Sequence, residues 1–331
     1  MTAQANPLLS RVAESAYWMA RYTERAENVA RFAAVNFHLA LDMPSEVPAQ
    51  WQALVQITGD ARAFRERYGE ATAENVIEFL AFDRDNPNSI ASCLSAAREN
   101  ARSIRDTISS EMWEQINAMY LSSTASPGRA PDVLAEFFRR VRMASHLFYG
   151  IADDTMSHNE AWHFLRLGRN LERADKTTRI LDVKYFILLP SVSEVGSPYD
   201  DIQWSALLKS VSGFEMYRKR YGRVAPERVV EFLLMDGEFP RAVRCCIGAA
   251  DGSLHAITGT PQGGFSCDSE RRLGRLRAEL DYTHTASVLA GGLHEFLDGL
   301  QARMNGIDQC ILEDFFTPPR SAAASTAGAG I

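Results

Sequence analysis

Hydrophobic and polar positions follow the three-to-four-residue spacing of amphipathic helices in almost every segment of the chain. Residues 7–41 contain no internal proline or glycine and are rich in Ala and Arg, two good helix formers. Pro44 and Pro48 end this segment, and a Ser-x-x-Glu capping box at residues 157–160 predicts a second long helix to about Leu189. No convincing series of strand-length alternating segments occurs. The pattern therefore predicts an all-α fold, a helical bundle.

Three segments interrupt the helical pattern. STASPGRAP (residues 123–131) and ITGTPQGGF (257–265) are rich in Gly, Pro, Ser and Thr, which predicts loops. The end of the chain, residues 317–331, has the low-complexity sequence TPPRSAAASTAGAGI and is predicted to be disordered. We therefore expect one helical domain over residues 1–316, followed by a disordered tail.

One charged sequence occurs twice. RYTERAENVAR (residues 21–31) and RNLERADKTTR (169–179) both read Arg-x-x-Glu-Arg-Ala-acid and both end on Arg. A longer match aligns WQALVQITGDARAFRERYG, from Trp51, with WSALLKSVSGFEMYRKRYG, from Trp204. We interpret the chain as a tandem duplication with halves at about 8–155 and 156–316, related by an approximate two-fold axis.

The charged positions of the two copies fall on one face of each predicted helix. Three interpretations remain open. The charges form surface pairs within each helix, such as Arg21 with Glu24; or they form buried pairs between the helices, Glu24 with Arg173 and Glu172 with Arg25; or they bind a ligand or partner. Trp162 shares the face of Arg169 in the second copy, which argues against plain solvated surface.

A third charged helix is predicted at AARENARSIRD, residues 96–106. If it lies beside the other two, an Arg-lined groove results, with Glu24, Glu172 and Glu99 in reach. Such a groove suits a carboxylate or phosphate, for instance a peptide C-terminus, because guanidinium groups bind these anions in a bidentate manner.

Composition and motifs argue against some classes of function. The net charge is −7, which argues against a general nucleic-acid binder. The basic residues are 31 Arg and only 4 Lys. The five cysteines form no CxxC pair, no secretory signal pattern opens the chain, and no apolar run is long enough to span a membrane, so we expect a cytoplasmic protein. GTPQGG lacks the Lys-Ser/Thr of a nucleotide-binding loop, and no GxSxG occurs.

No metal or cofactor is predicted. The segment DDTMSHNEAWH contains Asp153, Asp154, His158 and His163. The two histidines are five residues apart, which is wrong for two ligands on one helix face, so these residues are interpreted as helix-end capping.

The charged sequences, together with MWEQIN and SRVAESAYWMARYTERAENVAR, resemble the Alpha-E family of bacterial all-helical proteins named for a Glu-Arg motif. The resemblance covers residues 8 to about 316. It implies a separate circularly permuted ATP-grasp protein as partner, often with a transglutaminase-like protein nearby, and a role in peptide-bond formation or modification. The candidate binding residues, from the charged faces and from the family's motifs, are Arg21, Glu24, Arg25, Glu27, Asn28, Arg98, Glu99, Asn100, Arg102, Arg169, Glu172, Arg173 and Asp175.

Three functions follow as hypotheses. The first is a non-catalytic accessory protein of an ATP-grasp peptide or amide ligase, which binds an anionic peptide ligand or the ligase through the Arg/Glu groove. The second is an enzyme in its own right, with Glu24 or Glu172 as general base. The neighbouring arginines would lower the pKa of that base, which favours the binding role. The third is a purely structural scaffold.

Overall fold

The computed structural model describes residues 8–42, 47–124, 128, 130–186 and 198–317. Within these ranges the chain forms fifteen α-helices and no strand, so the predicted all-α fold is confirmed. The helices are α1 (Ser10–Asp42), α2 (Val47–Thr58), α3 (Ala61–Tyr68), α4 (Ala73–Ile77), α5 (Ile90–Ser103), α6 (Ser110–Thr124), α7 (Pro131–Thr155), α8 (Glu160–Phe186), α9 (Pro198–Ser210), α10 (Phe214–Tyr221), α11 (Pro226–Met235), α12 (Val243–Thr258), α13 (Asp268–Tyr282), α14 (Thr285–Gly291) and α15 (Leu293–Ile311). Short π-helical segments follow α4 and α15, at Glu78–Phe82 and Leu312–Phe316.

The long helices α1 and α8 lie at the centre of the bundle and run in the same direction. The backbone N–H of Leu8 donates to the Glu160 carboxylate near their beginnings, at 3.1 Å, and Arg173 of α8 contacts Glu24 of α1 further along. Helices α5 and α7 pack against α1, while α12 and α15 pack against α8. Because neighbours cover both central helices along most of their length, their polar side chains need partners inside the bundle.

A single glycine marks a close approach between α1 and α8. Gly168 of α8 faces the backbone of Tyr17, and a Cβ atom at this glycine would lie well inside van der Waals contact of the Tyr17 carbonyl oxygen. The position therefore requires glycine for packing, and it fixes the distance between the two charged helices.

The predicted start of α8 is wrong by two to three residues. The helix begins at Glu160, and its first hydrogen bond runs from the His163 backbone N–H to the Asn159 carbonyl oxygen. The predicted capping box needs Ser157 as cap and the Glu160 carboxylate folded back on it. Instead, that carboxylate accepts a hydrogen bond from the Leu8 backbone, which belongs to the other end of the first half.

The loop predicted at residues 257–265 is confirmed from Gly259 onward. Helix α12 ends at Thr258, and Gly259 adopts the left-handed conformation with φ 73°, which glycine tolerates at a helix C-terminus. Helix α13 then starts at Asp268. Much of the loop predicted at 123–131 lies outside the described residues, as does the tail from residue 318.

Equivalent positions of the two proposed halves share local geometry. Gly69 and Gly222 end α3 and α10 with φ of 71° and 77°. The thiols of Cys93 and Cys246 each donate to the carbonyl oxygen of a proline six residues earlier. Tandem duplication with a two-fold axis stays a prediction, and these matching contacts support it.

Candidate functional site

The two copies of the charged sequence meet between α1 and α8. Arg173 Nε and Nη2 donate to the two Glu24 oxygens at 3.0 and 2.8 Å. Arg25 Nε and Nη2 donate to the two Glu172 oxygens at 2.7 and 2.9 Å. Each Glu-Arg pair of one helix is thus joined to the Glu-Arg pair of the other by reciprocal bidentate bonds, as the second interpretation of the sequence predicts.

Both carboxylates are completely buried and each has further partners. Glu24 also accepts a bond from Arg241 Nη1 at 2.9 Å, and the Asn28 amide lies 3.4 Å away. Glu172 also accepts a bond from Arg21 Nε at 3.0 Å. The alternative of surface pairs within each helix is wrong, because Arg21 binds Glu172 across the interface.

The surrounding guanidinium groups keep both carboxylates ionised. Burial alone raises the pKa of a carboxyl group, but the charges of Arg173 and Arg241 outweigh it and hold the pKa of Glu24 far below its ordinary value. Burial is likewise outweighed at Glu172 by Arg25 and Lys176, so its pKa is also lowered. A carboxylate with a low pKa and occupied oxygens is a poor general base.

Helix α5 does not join this network. Arg98 donates to the Asn117 side chain of α6 at 2.7 Å, and its guanidinium lies over the ring of Trp113. Glu99 pairs with Arg98 and with the exposed Arg102. The charged face of α5 therefore points toward α6 and solvent.

The predicted three-helix groove is accordingly wrong in its third helix. Helix α5 buries Ala97 and Ala101, with the rest of its apolar face, in the core beside α1, and this orientation turns the charged face outward. Among the residues the structure describes, Glu24 and Glu172 make no hydrogen bond or ion pair with Arg98, Glu99, Asn100 or Arg102.

A polar cavity of about 290 Å³ lies beside Glu172, between α1, the end of α2, α8 and α15. Its cationic lining residues are Arg21, Arg25, Lys176 and Arg179, and its acidic ones are Asp60, Asp175 and Asp308. This polar cavity contains three of the candidate residues, namely Arg21, Arg25 and Asp175. Its mixed lining suits a small ligand that carries a negative group and a hydrogen-bond donor.

Lys176 is the polar cavity's least satisfied cation. Its side chain is buried, and its Nζ lies 3.7 Å from Glu172 and 3.4 Å from Asp175. It makes no hydrogen bond with any other part of the chain that the structure describes, although an ammonium group has three donors. The Asp60 carboxylate also lines the cavity and accepts a hydrogen bond from Asn88 at Oδ1. Its buried Oδ2 has no hydrogen-bond partner among the described residues.

Several residues of the network were missed from the sequence. Lys176 and Arg179 lie inside the repeated sequence, so the repeat itself could have pointed to them. Arg241 and Asp308 lie far away in the chain and carry no local pattern. Asp308 accepts bonds from Tyr17 and Arg21, and only the fold brings it there.

Two residues assigned to helix-end capping, His158 and Asp153, make local contacts at the end of α7 and the start of α8. The His158 ring stacks on Trp162 at 3.9 Å between centroids, and its Nε2 lies 3.0 Å from the Asp153 carbonyl oxygen. Over the described ranges, no group of three or more His, Cys, Asp or Glu side chains could hold a metal ion. The described helices also include none that is long and apolar enough to cross a membrane.

A helical bundle centred on two parallel helices that exchange buried Glu-Arg pairs defines the class of this protein. The chain belongs to the Alpha-E family, described as a predicted alpha-helical domain with a conserved ER motif, and the match covers residues 8–316. Both copies of the repeated sequence contain this Glu-Arg pair, at Glu24–Arg25 and at Glu172–Arg173.

The relatives with curated sequences are uncharacterized mycobacterial proteins. One from Mycobacterium bovis is 26% identical over 325 residues, and one from Mycobacterium tuberculosis strain H37Rv is 25% identical over 325 residues. Each alignment covers 90% of this chain and 36% of the relative, so the chain spans about a third of the length of these proteins. No solved structure matches the chain.

Proposed function

We propose that this protein is a non-catalytic binding protein that holds the carboxylate of a peptide-like ligand in the polar cavity beside Glu172. The observation that carries the proposal is Lys176. Its ammonium group is more than nine-tenths buried, lines the cavity and donates no hydrogen bond within the described chain. A buried cation with free donors is costly unless a ligand completes its hydrogen bonds, and a carboxylate does so.

Other groups of the polar cavity narrow the ligand class. Arg179 uses Nε to bind Asp175 at 3.0 and 2.9 Å, and its two terminal nitrogens make no hydrogen bond with the residues that the structure describes. Asp60 Oδ2 lacks a partner in the described part of the chain and would accept a hydrogen bond from an N–H group. A carboxylate joined to an N–H donor is the end of a peptide or an amino acid, whereas a phosphate group offers no such donor.

The enzyme alternative has less support. Glu24 and Glu172, the two proposed general bases, are fully buried, have lowered pKa values, and bind two or more cations each. A base must also reach substrate, and these oxygens are occupied by guanidinium groups. We infer that the buried pairs hold α1 and α8 in register and thereby position the lining of the polar cavity.

A direct binding experiment tests the proposal. Isothermal titration compares N-acetyl-alanyl-alanine, which has a free carboxylate, with its C-terminal amide. We expect the acid to bind and the amide to bind at least about tenfold more weakly, since a hydrogen bond to a charged group contributes about 1.5–3 kcal/mol. Equal binding of acid and amide would contradict the proposal without any variant.

Two variants place the ligand. Lys176→Gln should lower the affinity for the peptide acid by about tenfold or more. The matched control is Arg102→Gln, at an exposed position on α5, which should bind the acid as the original protein does. Circular dichroism checks that both variants are folded. Binding that survives in folded Lys176→Gln would move the site elsewhere, and absence of binding by the original chain would favour the scaffold alternative.

We propose further that the chain works in the cytoplasm as the accessory partner of a separate, circularly permuted ATP-grasp ligase, with a transglutaminase-like protein as a second candidate partner. Family resemblance supports this context, and a carboxylate site suits the presentation of a substrate to a peptide-forming ligase. The test is co-purification with such a ligase and measurement of ATP consumption with and without this chain. No association and no change of rate would exclude the accessory role.

A further inference from the structure

Four guanidinium groups lie within ion-pair distance of Glu24 or its neighbour Glu27, and a fifth, that of Arg142, adds its charge at one of the four, Arg31. None of the five lines the polar cavity. This guanidinium cluster consists of Arg31, Arg142, Arg169, Arg173 and Arg241. Among the described side chains, the carboxylates that pair with its members are Glu24 and Glu27 alone. The cluster therefore carries more positive charge than its own carboxylates neutralise.

On the Glu172 side, the arginine at the equivalent position of the repeat has an additional carboxylate partner. There Arg21, the counterpart of Arg169 in the repeat, binds Asp308 in addition to Glu172. Arg169 pairs with no second carboxylate of the described chain. Its Nε lies 3.8 Å from Glu24, and its guanidinium lies over the ring of Tyr149 at 3.9 Å.

A second sequence difference adds to the surplus. The longer match between the halves places Arg241 where the first half has Asn88, which adds a cation beside Glu24. The Glu172 side likewise has Lys176 where the first copy has Asn28, but there Asp175 and Asp308 supply further negative charge. Arg142 of α7 makes no ion pair or hydrogen bond with the described chain.

The cluster also contains unsatisfied donors. The Nε atoms of Arg31, Arg142 and Arg169 are buried and have no hydrogen-bond partner within the described ranges. Arg31 is only 3% exposed. Such donors lose their hydrogen bonds to water without replacement, which is costly for a charged group.

Mutual repulsion within the cluster is visible in the pKa values. Burial, followed by the charges of Arg241 and Arg142, lowers the pKa of Arg31 to about 8. Burial and the charge of Arg31 lower the pKa of His146 to about 4. An arginine hardly ever gives up its proton in a protein, so this environment is relieved by a counter-anion instead.

The cluster reaches the surface beside α7. The His146 side chain is 47% exposed, and its Nε2 lies 3.5 Å from Arg31 Nη2. Arg31 also donates to the hydroxyl of Ser212, an exposed residue. A small anion can approach from this side, where the exposed Arg139 and Arg140 of α7 share one carboxylate, Glu136, and so add one positive charge.

We propose that the guanidinium cluster is a second binding site, specific for a compact, multiply charged oxyanion such as a phosphate group. Three guanidinium groups with free Nε donors match the several acceptor oxygens of phosphate, and the surplus of charge matches its negative charge. The site is independent of the polar cavity, since it shares no residue with it, and either site can fail without the other.

Thermal unfolding at constant ionic strength tests the site, with inorganic phosphate as the probe and chloride as the reference. We expect phosphate to raise the melting temperature more than chloride does, and isothermal titration to give one phosphate per chain. Arg142→Gln should weaken phosphate binding by at least about tenfold. Because Arg142 only repels its neighbours in the free protein, the same variant should melt at an equal or higher temperature without phosphate.

Controls separate this site from the polar cavity and from general salt effects. Lys176→Gln should keep the phosphate effect, and so should Arg102→Gln. A phosphate effect that matches chloride overturns the proposal, as does one that is unchanged in Arg142→Gln. A phosphate effect lost in Lys176→Gln but kept in Arg142→Gln would assign the anion to the polar cavity. Phosphate and adenosine 5′-monophosphate, compared on the original chain, distinguish a free phosphate from a nucleotide's phosphate group.

Discussion

Glu24 and Arg173 lie 149 positions apart in sequence and form a bidentate pair, at 3.0 and 2.8 Å, with no exposed carboxylate surface. The mirrored pair of Arg25 and Glu172 sits directly beside it. Burial of such charges is expensive, and replacement by apolar side chains is often no less stable in other proteins. The pairs therefore specify which helices meet, and in which register, more than they add to stability.

Removal of one carboxylate should destabilise the fold strongly. Glu24→Gln leaves Arg173, Arg241 and the rest of the guanidinium cluster with one carboxylate fewer, and we expect a loss of about 3–5 kcal/mol in the free energy of unfolding. Glu172→Gln should cost less, because Arg21 retains Asp308. Urea denaturation measures both variants.

The control for these carboxylates is Glu99→Gln on α5. Glu99 is about half exposed and pairs with Arg98 and Arg102 at the surface. Its loss should change the free energy of unfolding by no more than about 1 kcal/mol. Equal costs for Glu24→Gln and Glu99→Gln would show that burial of the pair has no energetic consequence.

The free energy of unfolding should decrease as the pH is lowered, over a pH range set by the pKa values of Glu24 and Glu172. The pKa values of Glu24 and Glu172 are lowered from 4.5 in the folded protein, so the unfolded chain binds protons more readily than the folded one. Their contribution is complete above about pH 4.5 and is lost as the pH falls below it. Denaturation at pH 7, 5, 4 and 3 measures the slope.

The Glu172→Gln variant shows how much of this pH dependence of the free energy of unfolding comes from Glu172. This variant lacks one titrating carboxyl group, so its stability should decline less steeply below pH 4.5 than that of the original protein. Other carboxylates, such as Asp175, whose pKa is also lowered once Lys176 and Arg179 outweigh its burial, keep some slope in both proteins. Parallel curves for the two proteins would contradict the assignment.

Sequence patterns predicted the central helices well because their signals are local. Unbroken helical spacing and flanking prolines located α1, and the Ser-x-x-Glu pattern ahead of a long helical run located α8 to within a few residues. The cap of α8 failed because Glu160 is used by Leu8, a contact across 152 positions that no local pattern encodes. A local capping pattern fails as a prediction when a group distant in sequence binds the capping side chain in the folded structure.

The candidate site was predicted in its centre and missed at its edges for a similar reason. Repetition of Glu-Arg in both copies made a Glu24–Arg173 pair one of three open interpretations, and the structure decides among them. Arg98 has the same charge and helical spacing, yet the orientation of α5 turns it toward Trp113. Asp308 and Arg241 enter the network from elements that share no motif with it, so only the packing of α15 and the turn before α12 reveals them.

The pairing itself can be tested by a double-mutant cycle. Arg25→Gln and Glu172→Gln remove the two partners of one bidentate pair, so the double variant should be more stable than the sum of the single losses predicts, by about 1–3 kcal/mol. Arg25 and Glu24 are neighbours in sequence without a bond between their side chains. The cycle of Arg25→Gln with Glu24→Gln should therefore show a smaller coupling energy. Equal coupling energies in the two cycles would indicate a general electrostatic effect of many charges instead of a specific pair.

The close approach of α1 and α8 at Gly168 gives the last prediction. An alanine there brings its Cβ into the Tyr17 carbonyl oxygen, which is backbone and cannot move aside without a shift of the whole helix. We expect Gly168→Ala to reduce the free energy of unfolding by about 1–3 kcal/mol, and to weaken ligand binding because the charged faces separate.

Two glycines elsewhere in the helices serve as matched controls for Gly168. Gly150 of α7 and Gly252 of α12 are exposed, and a Cβ at either would meet nothing within 4 Å. Alanine stabilises an open helical position by about 0.5–1 kcal/mol relative to glycine, so Gly150→Ala and Gly252→Ala should raise the melting temperature. Glycine-to-alanine substitution is therefore expected to destabilise the protein where α1 and α8 touch and to stabilise it at the two exposed positions. A stabilising Gly168→Ala would mean that the two central helices do not touch at this point.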